Sequence, residues 1–320
     1  MSDLPAISVV ICSHNPRPDY LRRTLESLAR QTLPKSQWEL LMVDNASQPP
    51  LRERCDIAWH PRGRQVTEAR LGLTYARLCG INQTTGPLLV FVDDDNELAP
   101  DFLQNAVAIA DRHPQLAVIG AGILEPEFEA PPPPELVEYF GLLALRTVPA
   151  PRWGNYPPGS SCLPFGAGLC VRRQTAAQLM RFLESNHLES ILDRKGNQLF
   201  SHGDDLFSWM AAAAGDGFGI FPELRIKHLI SSGRLNQPYF LRLIYFSTFS
   251  HWLLHHQLAG QAPARSSFFG LIHIALHALR NGFFSARCQW MRLKGEDWAA
   301  RFIFEKQLTP SAKPVNKLEK

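Results

Sequence analysis

The first 120 or so residues switch repeatedly between two hydrophobic periods. Ile7-Ser8-Val9-Val10-Ile11-Cys12 is a short β-branched run that gives way to the polar Ser13-His14-Asn15, the pattern of a buried strand opening into a loop. Pro18 suits a helix start, and Leu21, Leu25 and Leu28 recur at helical spacing before Pro34 ends the segment. Leu40-Leu41-Met42-Val43 predicts a second strand ending at Asp44-Asn45, and a helix around Glu68 to Ile81 would place Leu73, Ala76 and Gly80 on one face. Leu88 to Val92 predicts a third strand, ending at Asp93. Pro100 and Asp101 then open a helix with Phe102, Ala106 and Ala110 inward, and Leu116 to Ile119 reads as a fourth strand. Strands alternating with helices imply parallel βαβ units. The expected class is therefore α/β, with a mostly parallel sheet flanked by helices and a ligand site beyond the carboxyl ends of the strands. Three successive strands end in polar groups, at Ser13-His14-Asn15, Asp44-Asn45 and Asp93-Asp94-Asp95.

From Glu125 to Pro164 the periodicity breaks, with a four-proline run at Pro131 to Pro134 and an aromatic, Gly- and Pro-rich stretch at Trp153 to Pro158. Long irregular insertions of this kind are usually functional loops or disordered segments. Regular signals return with a strand at Gly168 to Val171, a helix near Thr175 to Leu183 and a helix starting at Gly203-Asp204-Asp205. Strand-like segments follow at Phe218 to Phe221 and Leu224 to His228. After about Gly233 the chain reads as helical, aromatic and His-rich, and it shows no internal repeat.

Composition narrows the function classes. A chain of 320 residues with 45% hydrophobic and 20% charged residues can bury a core of catalytic size. The net charge of +3 gives no argument for nucleic-acid binding. Six cysteines (Cys12, Cys55, Cys79, Cys162, Cys170, Cys288) without a CxxC pair read as reduced thiols, not as a zinc site or a disulfide framework. The N-terminus shows no signal-like segment and no run has the roughly 18 to 20 apolar residues needed to span a bilayer. The expected location is cytoplasmic, with the inner face of the cytoplasmic membrane as an extension of that reading.

The run Asp93-Asp94-Asp95 carries chemistry. Three adjacent carboxylates repel one another unless a cation compensates, and such oxygen ligands suit Mn²⁺ or Mg²⁺, with a diphosphate completing the shell. A solvated acidic turn is the competing explanation. Five segments in order then resemble the family 2 glycosyltransferases of GT-A fold. They are Val9 to Asn15, Val43-Asp44-Asn45-Ala46-Ser47, Gly72 to Ile81 (that family's GLxxARNxGI helix, with Leu78 in place of Asn), Val90 to Asp95, and Gly203-Asp204-Asp205-Leu206 (the GED segment, with Asp204 in place of Glu). Leu224 to His228 is similar to the family's late strand ending in histidine, so the resemblance spans roughly residues 6 to 230.

That resemblance implies a nucleotide-sugar-binding half over 1–122, an acceptor-binding and catalytic half over 123–233, and a helical extension over 234–320. It implies that Asp44 contacts the nucleobase, that Cys12, Ser13 and Asn15 line the nucleoside pocket, and that Asp93 and Asp94 face the donor. Asp95, with Asp93 and His228, would hold the metal. Arg70 and Arg77 would assist with the nucleotide, a surface salt bridge being the alternative for each. Asp205 is the candidate general base, taking a proton from an acceptor hydroxyl as inversion at the anomeric carbon needs, with Asp204 beside it as the second catalytic candidate. Helix capping is the plainer role for either.

The implied activity is inverting transfer of a sugar from a nucleoside-diphosphate sugar, with UDP-sugars favoured. The acceptor would be a hydroxyl of a glycan or lipid-linked molecule, in cell-surface or extracellular polysaccharide synthesis. The Pro-rich segment and the Trp153-Gly154-Asn155-Tyr156 region are expected on the acceptor side, since aromatic faces suit sugars. The histidines of the tail (His251, His255, His256, His273, His277) read as polar tips on amphipathic helices, and Phe240 to Leu254 with Phe268 to Leu279 as an interhelical core. Peripheral membrane contact through the C-terminal helices is the alternative. Two other functions compete: a sugar nucleotidyltransferase, for which His14-Asn15-Pro16-Arg17-Pro18 lacks the Gly-rich phosphate loop, and a non-catalytic carbohydrate- or nucleotide-binding protein of the same fold.

Overall fold

A computed structural model describes residues 4–186, 199, 202–263, 268–308 and 310, with the backbone alone for 186 and 268–281. The chain divides into two compact units. The first comprises Met1–Glu127, Ala144–Ile191 and Gly203–Ile230, and the second Phe128–Leu143, Leu192–His202 and Ser231–Lys320.

In chain order the elements of the first unit are β1 (Ile7–Ser13), α1 (Pro18–Ala29), β2 (Trp38–Asp44), β3 (Gly63–Thr67), α2 (Leu73–Gln83), β4 (Leu88–Val92), β5 (Asn96–Leu98), α3 (Phe102–Arg112) and β6 (Leu116–Phe128, its last residue in the second unit). They continue with β7 (Arg146–Thr147), β8 (Arg152–Gly154), β9 (Leu169–Arg172), α4 (Arg173–Asn186), α5 (Asp205–Ala213) and β10 (Gly217–Ile230). One sheet runs β3-β2-β1-β4-β9-β6-β10-β5, with β7 added to β6 and β8 to β10. The strands β3, β2, β1 and β4 are parallel. β9 is inserted antiparallel between β4 and β6, so the sheet is parallel in its first half and mixed beyond it.

Every residue of β2 and β4 is buried, as expected where helices cover both faces of a parallel sheet. Trp38, Phe102 and Phe221 form one core cluster with alternate residues of β1, β2 and β4, such as Val9, Ile11, Leu40, Met42 and Val90. Helix α2 approaches β1 so closely that a Cβ on Gly80 would strike Val10 Cγ1. Several features go beyond the local pattern: β3, β5, β7 and β8 have no counterpart in it, β6 continues past Ile119 to Phe128, α2 begins at Leu73 and not near Glu68, and the segments 218–221 and 224–228 form a single strand. The late start of α2 has a local cause. Gly72 takes φ 149°, a conformation that glycine adopts at no steric cost.

The second unit contains a 3₁₀ run (Pro134–Leu143), α6 (Gln237–Ala259) and α7 (Phe268–Glu305), whose helical path is interrupted at Gly282. Asn236 caps α6 by accepting from Tyr239 N at 2.9 Å, and Gly260 closes it in the left-handed conformation. Trp298 of α7 lies against Phe249 and Tyr245 of α6, with ring centroids 3.8 and 5.3 Å apart, so α6 contributes to an interhelical core. The His251 and His255 rings are 4.1 Å apart and those of His202 and His251 5.5 Å. Burial, with these two imidazoles beside it, pushes the His251 pKa down to about 3. The unfolded chain therefore binds a proton between about pH 6.5 and 3 that the folded chain refuses, and stability falls as pH drops through that window. The expected result is a melting temperature that declines from pH 7 to pH 5 in wild type and less steeply in His251→Phe, followed by circular dichroism.

Candidate active site

Parallel register brings the strand ends to one level. Ser13 pairs with Asp44 across β1 and β2, and Ile11 with Val92 across β1 and β4. Cys12-Ser13, Asp44-Asn45 and Asp93-Asp94 therefore project from one edge of the sheet. Ser13 Oγ donates a short hydrogen bond to Asp94 Oδ2. Cys12 has a thiol pushed up to about 12, chiefly by burial, with Arg77 opposing the shift and Asp93 and Asp94 adding to it. The thiol therefore stays protonated near neutral pH.

The turn after β2 is tied down from several sides. The Asp44 carboxylate accepts from Ser47 N at 2.9 Å and Leu51 N at 2.8 Å, one bond per oxygen. The Asn15 backbone N–H donates to Ser47 Oγ at 3.0 Å, and Asn15 itself has φ 47°. Asn45 is the residue whose part the sequence did not reveal. Its Nδ2 donates to Glu68 O (3.1 Å) and Arg70 O (2.7 Å), and its Oδ1 accepts from Gly72 N at 2.7 Å. It clamps the bend that precedes α2. Asn45→Ala removes three bonds of about 1 kcal/mol net each, so a loss of about 3 kcal/mol in urea unfolding with an unchanged m-value is expected.

Arg70 pairs with Glu68 at 2.9 Å and lies over the Tyr75 ring at 4.6 Å. Arg77 is buried, lies over Phe91 at 5.6 Å, and its charge reaches Cys12. A Cβ on Gly166 would sit 2.7 Å from Arg77 Nη2 and 3.4 Å from Asp204 Oδ2. Arg77 and Asp204 therefore both border Gly166.

Asp95 and His228 arrive from distant segments. β10 runs antiparallel to β5 with His228 opposite Asn96, and Leu229 N donates to Asp95 O at 2.8 Å. His228 Nε2 then lies 3.3 Å from Asp95 Oδ2, whose partner oxygen accepts from Asn96 Nδ2 at 2.9 Å. Two ligands at right angles on one Mg²⁺ or Mn²⁺ would be about 3 Å apart at the usual bond lengths. A carboxylate oxygen and an imidazole nitrogen so spaced fit two positions of such an ion. Among the described residues no group of three or more His, Cys, Asp or Glu side chains is arranged to hold a metal. Two protein ligands with substrate phosphates filling the rest is the usual arrangement for these hard cations.

At the start of α5, Asp204 Oδ2 accepts from Gly166 N at 2.6 Å. Asp205 is the first helical residue. Sequence reasoning missed the cation beside them. Arg146 donates to Leu163 O at 2.8 Å and stacks on Phe165 at 3.5 Å. Burial pushes its pKa down to about 10, against the pull of Asp204 and Asp205, and it remains charged. A single arginine in an irregular stretch has no spacing to betray it. Trp153 pairs with Gly219, nine residues before His228 on β10.

Residues 8–140 match the model of glycosyl transferase family 2. That segment resembles this family, and the chain has the GT-A fold. Among curated proteins it is similar to Glycosyltransferase AglE of Haloferax volcanii, at 32% identity over 33% of this chain and 36% of the relative. It is also similar to Polypeptide N-acetylgalactosaminyltransferase 15 of Mus musculus, at 34% identity over 34% of this chain and 18% of the relative. The chain thus spans well under two thirds of these relatives. Among solved structures, GalNAc-T7 with UDP, GalNAc and Mn²⁺ superposes with a TM-score of 0.50 at 15% identity, over 80% of this chain and 52% of that one.

Proposed function

We propose that the chain is a metal-dependent, inverting glycosyltransferase. It moves a hexose-type sugar from a nucleoside-diphosphate donor, first of all a UDP-sugar, to a hydroxyl of a glycan or lipid-linked acceptor in polysaccharide synthesis at the cytoplasmic side of the membrane. The observation that carries the reading is the approach of Asp95 and His228 to 3.3 Å at the carboxyl edge of the sheet, beside Ser13 and Asp94. The site sits in the half that binds donor, 1–122, completed by a catalytic half, 123–233.

In this reading Ser13, Asn15, Asp44 and the Cys12 wall receive the nucleoside, while Arg77 and the carboxylates Asp93 and Asp94 face the diphosphate and its sugar. Asp95 and His228, with Asp93, hold Mn²⁺ or Mg²⁺, which when bound offsets the charge developing on the departing diphosphate. Asp205 takes the proton of the acceptor hydroxyl as its oxygen bonds to the anomeric carbon. The bond to the diphosphate breaks on the opposite face, and Asp204 orients the pair.

The GalNAc-T7 structure contains UDP and Mn²⁺, which makes these the first ligands to test. Thermal unfolding with UDP, GDP and dTDP, each with and without Mn²⁺, should show stabilisation by UDP only when the metal is present. Indifference to every nucleotide under both conditions sinks the reading.

A further inference from the structure

We infer that Asn96 is a positioning residue for the divalent cation of the proposed function, holding the Asp95 carboxylate with one oxygen left for the ion. The inference rests on that reading and adds a residue outside its ligand set. Asn96 Nδ2 donates to Asp95 Oδ1 at 2.9 Å, while Asp95 Oδ2 lies 3.3 Å from His228 Nε2. The amide has one workable orientation, because a carboxylate offers no hydrogen to a carbonyl oxygen. Asn96 N donates to Asp93 O at 3.3 Å. Asn96 and His228 are partners across β5 and β10, and residues directly opposed in an antiparallel pair share one face of the sheet. One residue thus bonds to Asp95 and Asp93 and stands opposite His228, the three groups assigned to the ion.

A second observation points to a ligand. Asn96 is fully buried, at 0% exposure, yet its Oδ1 has no hydrogen-bond partner among the described residues. A buried acceptor without a donor is costly, and such atoms are rare in folded proteins. Folding does not require an amide here. Leu98, two residues on and so on the same face of β5, is apolar and buried in the core cluster. The backbone bonds of Asn96 are open to any residue type except proline. Hard divalent cations such as Mg²⁺ keep several of their waters when bound, and these are donors of the kind such an oxygen accepts. Hydrogen bonds from neighbouring residues to a ligating carboxylate fix its orientation, and losing one weakens metal binding by about 10- to 100-fold.

The test needs no turnover. Calorimetric titration of the full chain with UDP at a series of Mn²⁺ concentrations gives the Mn²⁺ concentration at which UDP binding is half-maximal. Asn96→Leu keeps the branched outline of the side chain without its polar atoms, and should raise that concentration about 10- to 100-fold. Its ligand-free melting temperature should stay at or above that of wild type, since an apolar group replaces an orphaned polar one. A residue with only a structural role would behave the other way, with a lower melting temperature and an unchanged Mn²⁺ requirement. The Mn²⁺ requirement decides, whichever way the melting temperature moves. If Asn96→Leu does not fold, Asn96→Ala, which removes the same side-chain bond without adding bulk, is read by the same titration. An unchanged or lower requirement in the folded variant overturns the inference and leaves the metal reading standing. UDP binding by wild type that is absent, or indifferent to Mn²⁺, overturns both.

Discussion

Asp205→Asn is expected to lower turnover of a UDP-sugar by about 1,000-fold while leaving Mn²⁺-dependent UDP binding intact. A positioned general base contributes roughly 10² to 10⁴ in rate, and the amide keeps the shape of the carboxylate while removing its basicity. Asp204 provides the contrast. Its Oδ2 is committed to the Gly166 N–H at 2.6 Å, and an asparagine there can still present an oxygen to that donor. Asp204→Asn should therefore cost about tenfold or less, acting through orientation, whereas Asp204→Ala should release the Gly166 segment and cost more. The measurement is kcat and KM for each variant, with UDP affinity by calorimetry. A dead Asp204→Asn beside an active Asp205→Asn would reverse the two roles. Loss of UDP binding in Asp205→Asn would make that residue a donor ligand instead.

The second large effect belongs to the metal pair. For wild type with UDP and Mn²⁺ at a hundredfold excess over Kd, linkage gives about 2.7 kcal/mol of stabilisation, or a rise of roughly 5 to 10 °C in melting temperature. Asp95→Ala and His228→Ala should each abolish the part of that rise that depends on Mn²⁺. The double variant should do no more than either single one, since one ion cannot be lost twice. His228 is buried against Asp95, so each single variant will also shift the ligand-free melting temperature. The quantity to read is accordingly the nucleotide-induced difference. A full Mn²⁺-dependent rise in His228→Ala would remove the imidazole from the ligand set, and a full rise in both variants would move the ion elsewhere.

Local pattern alone made much of this protein legible. The apolar runs of β1, β2 and β4, each ending in polar residues, declared both the strands and the edge at which a site would form, because burial on both faces demands continuous hydrophobicity and the chain must leave the core at a defined point. Pro18 and the Leu21, Leu25, Leu28 spacing marked α1 in the same way. The carboxylates at 93–95 and 204–205 were visible because acidic clusters are costly without a purpose.

Tertiary structure alone decided which of these groups meet. β9 pairs antiparallel with both β4 and β6, and β10 sets His228 opposite Asn96. Neither register is written in the period of the strands themselves, since periodicity reports which face a segment buries and not which segment it lies beside. The same holds for Asn45, whose amide binds three backbone groups of the 68–72 bend, and for Arg146, which gains its place beside Asp204 and Asp205 from Leu163 and Phe165. It also holds for Trp153, whose pairing with Gly219 of β10 no local pattern announced. Residue chemistry is a property of the chain. Proximity between segments a hundred residues apart comes from the packing of the whole sheet.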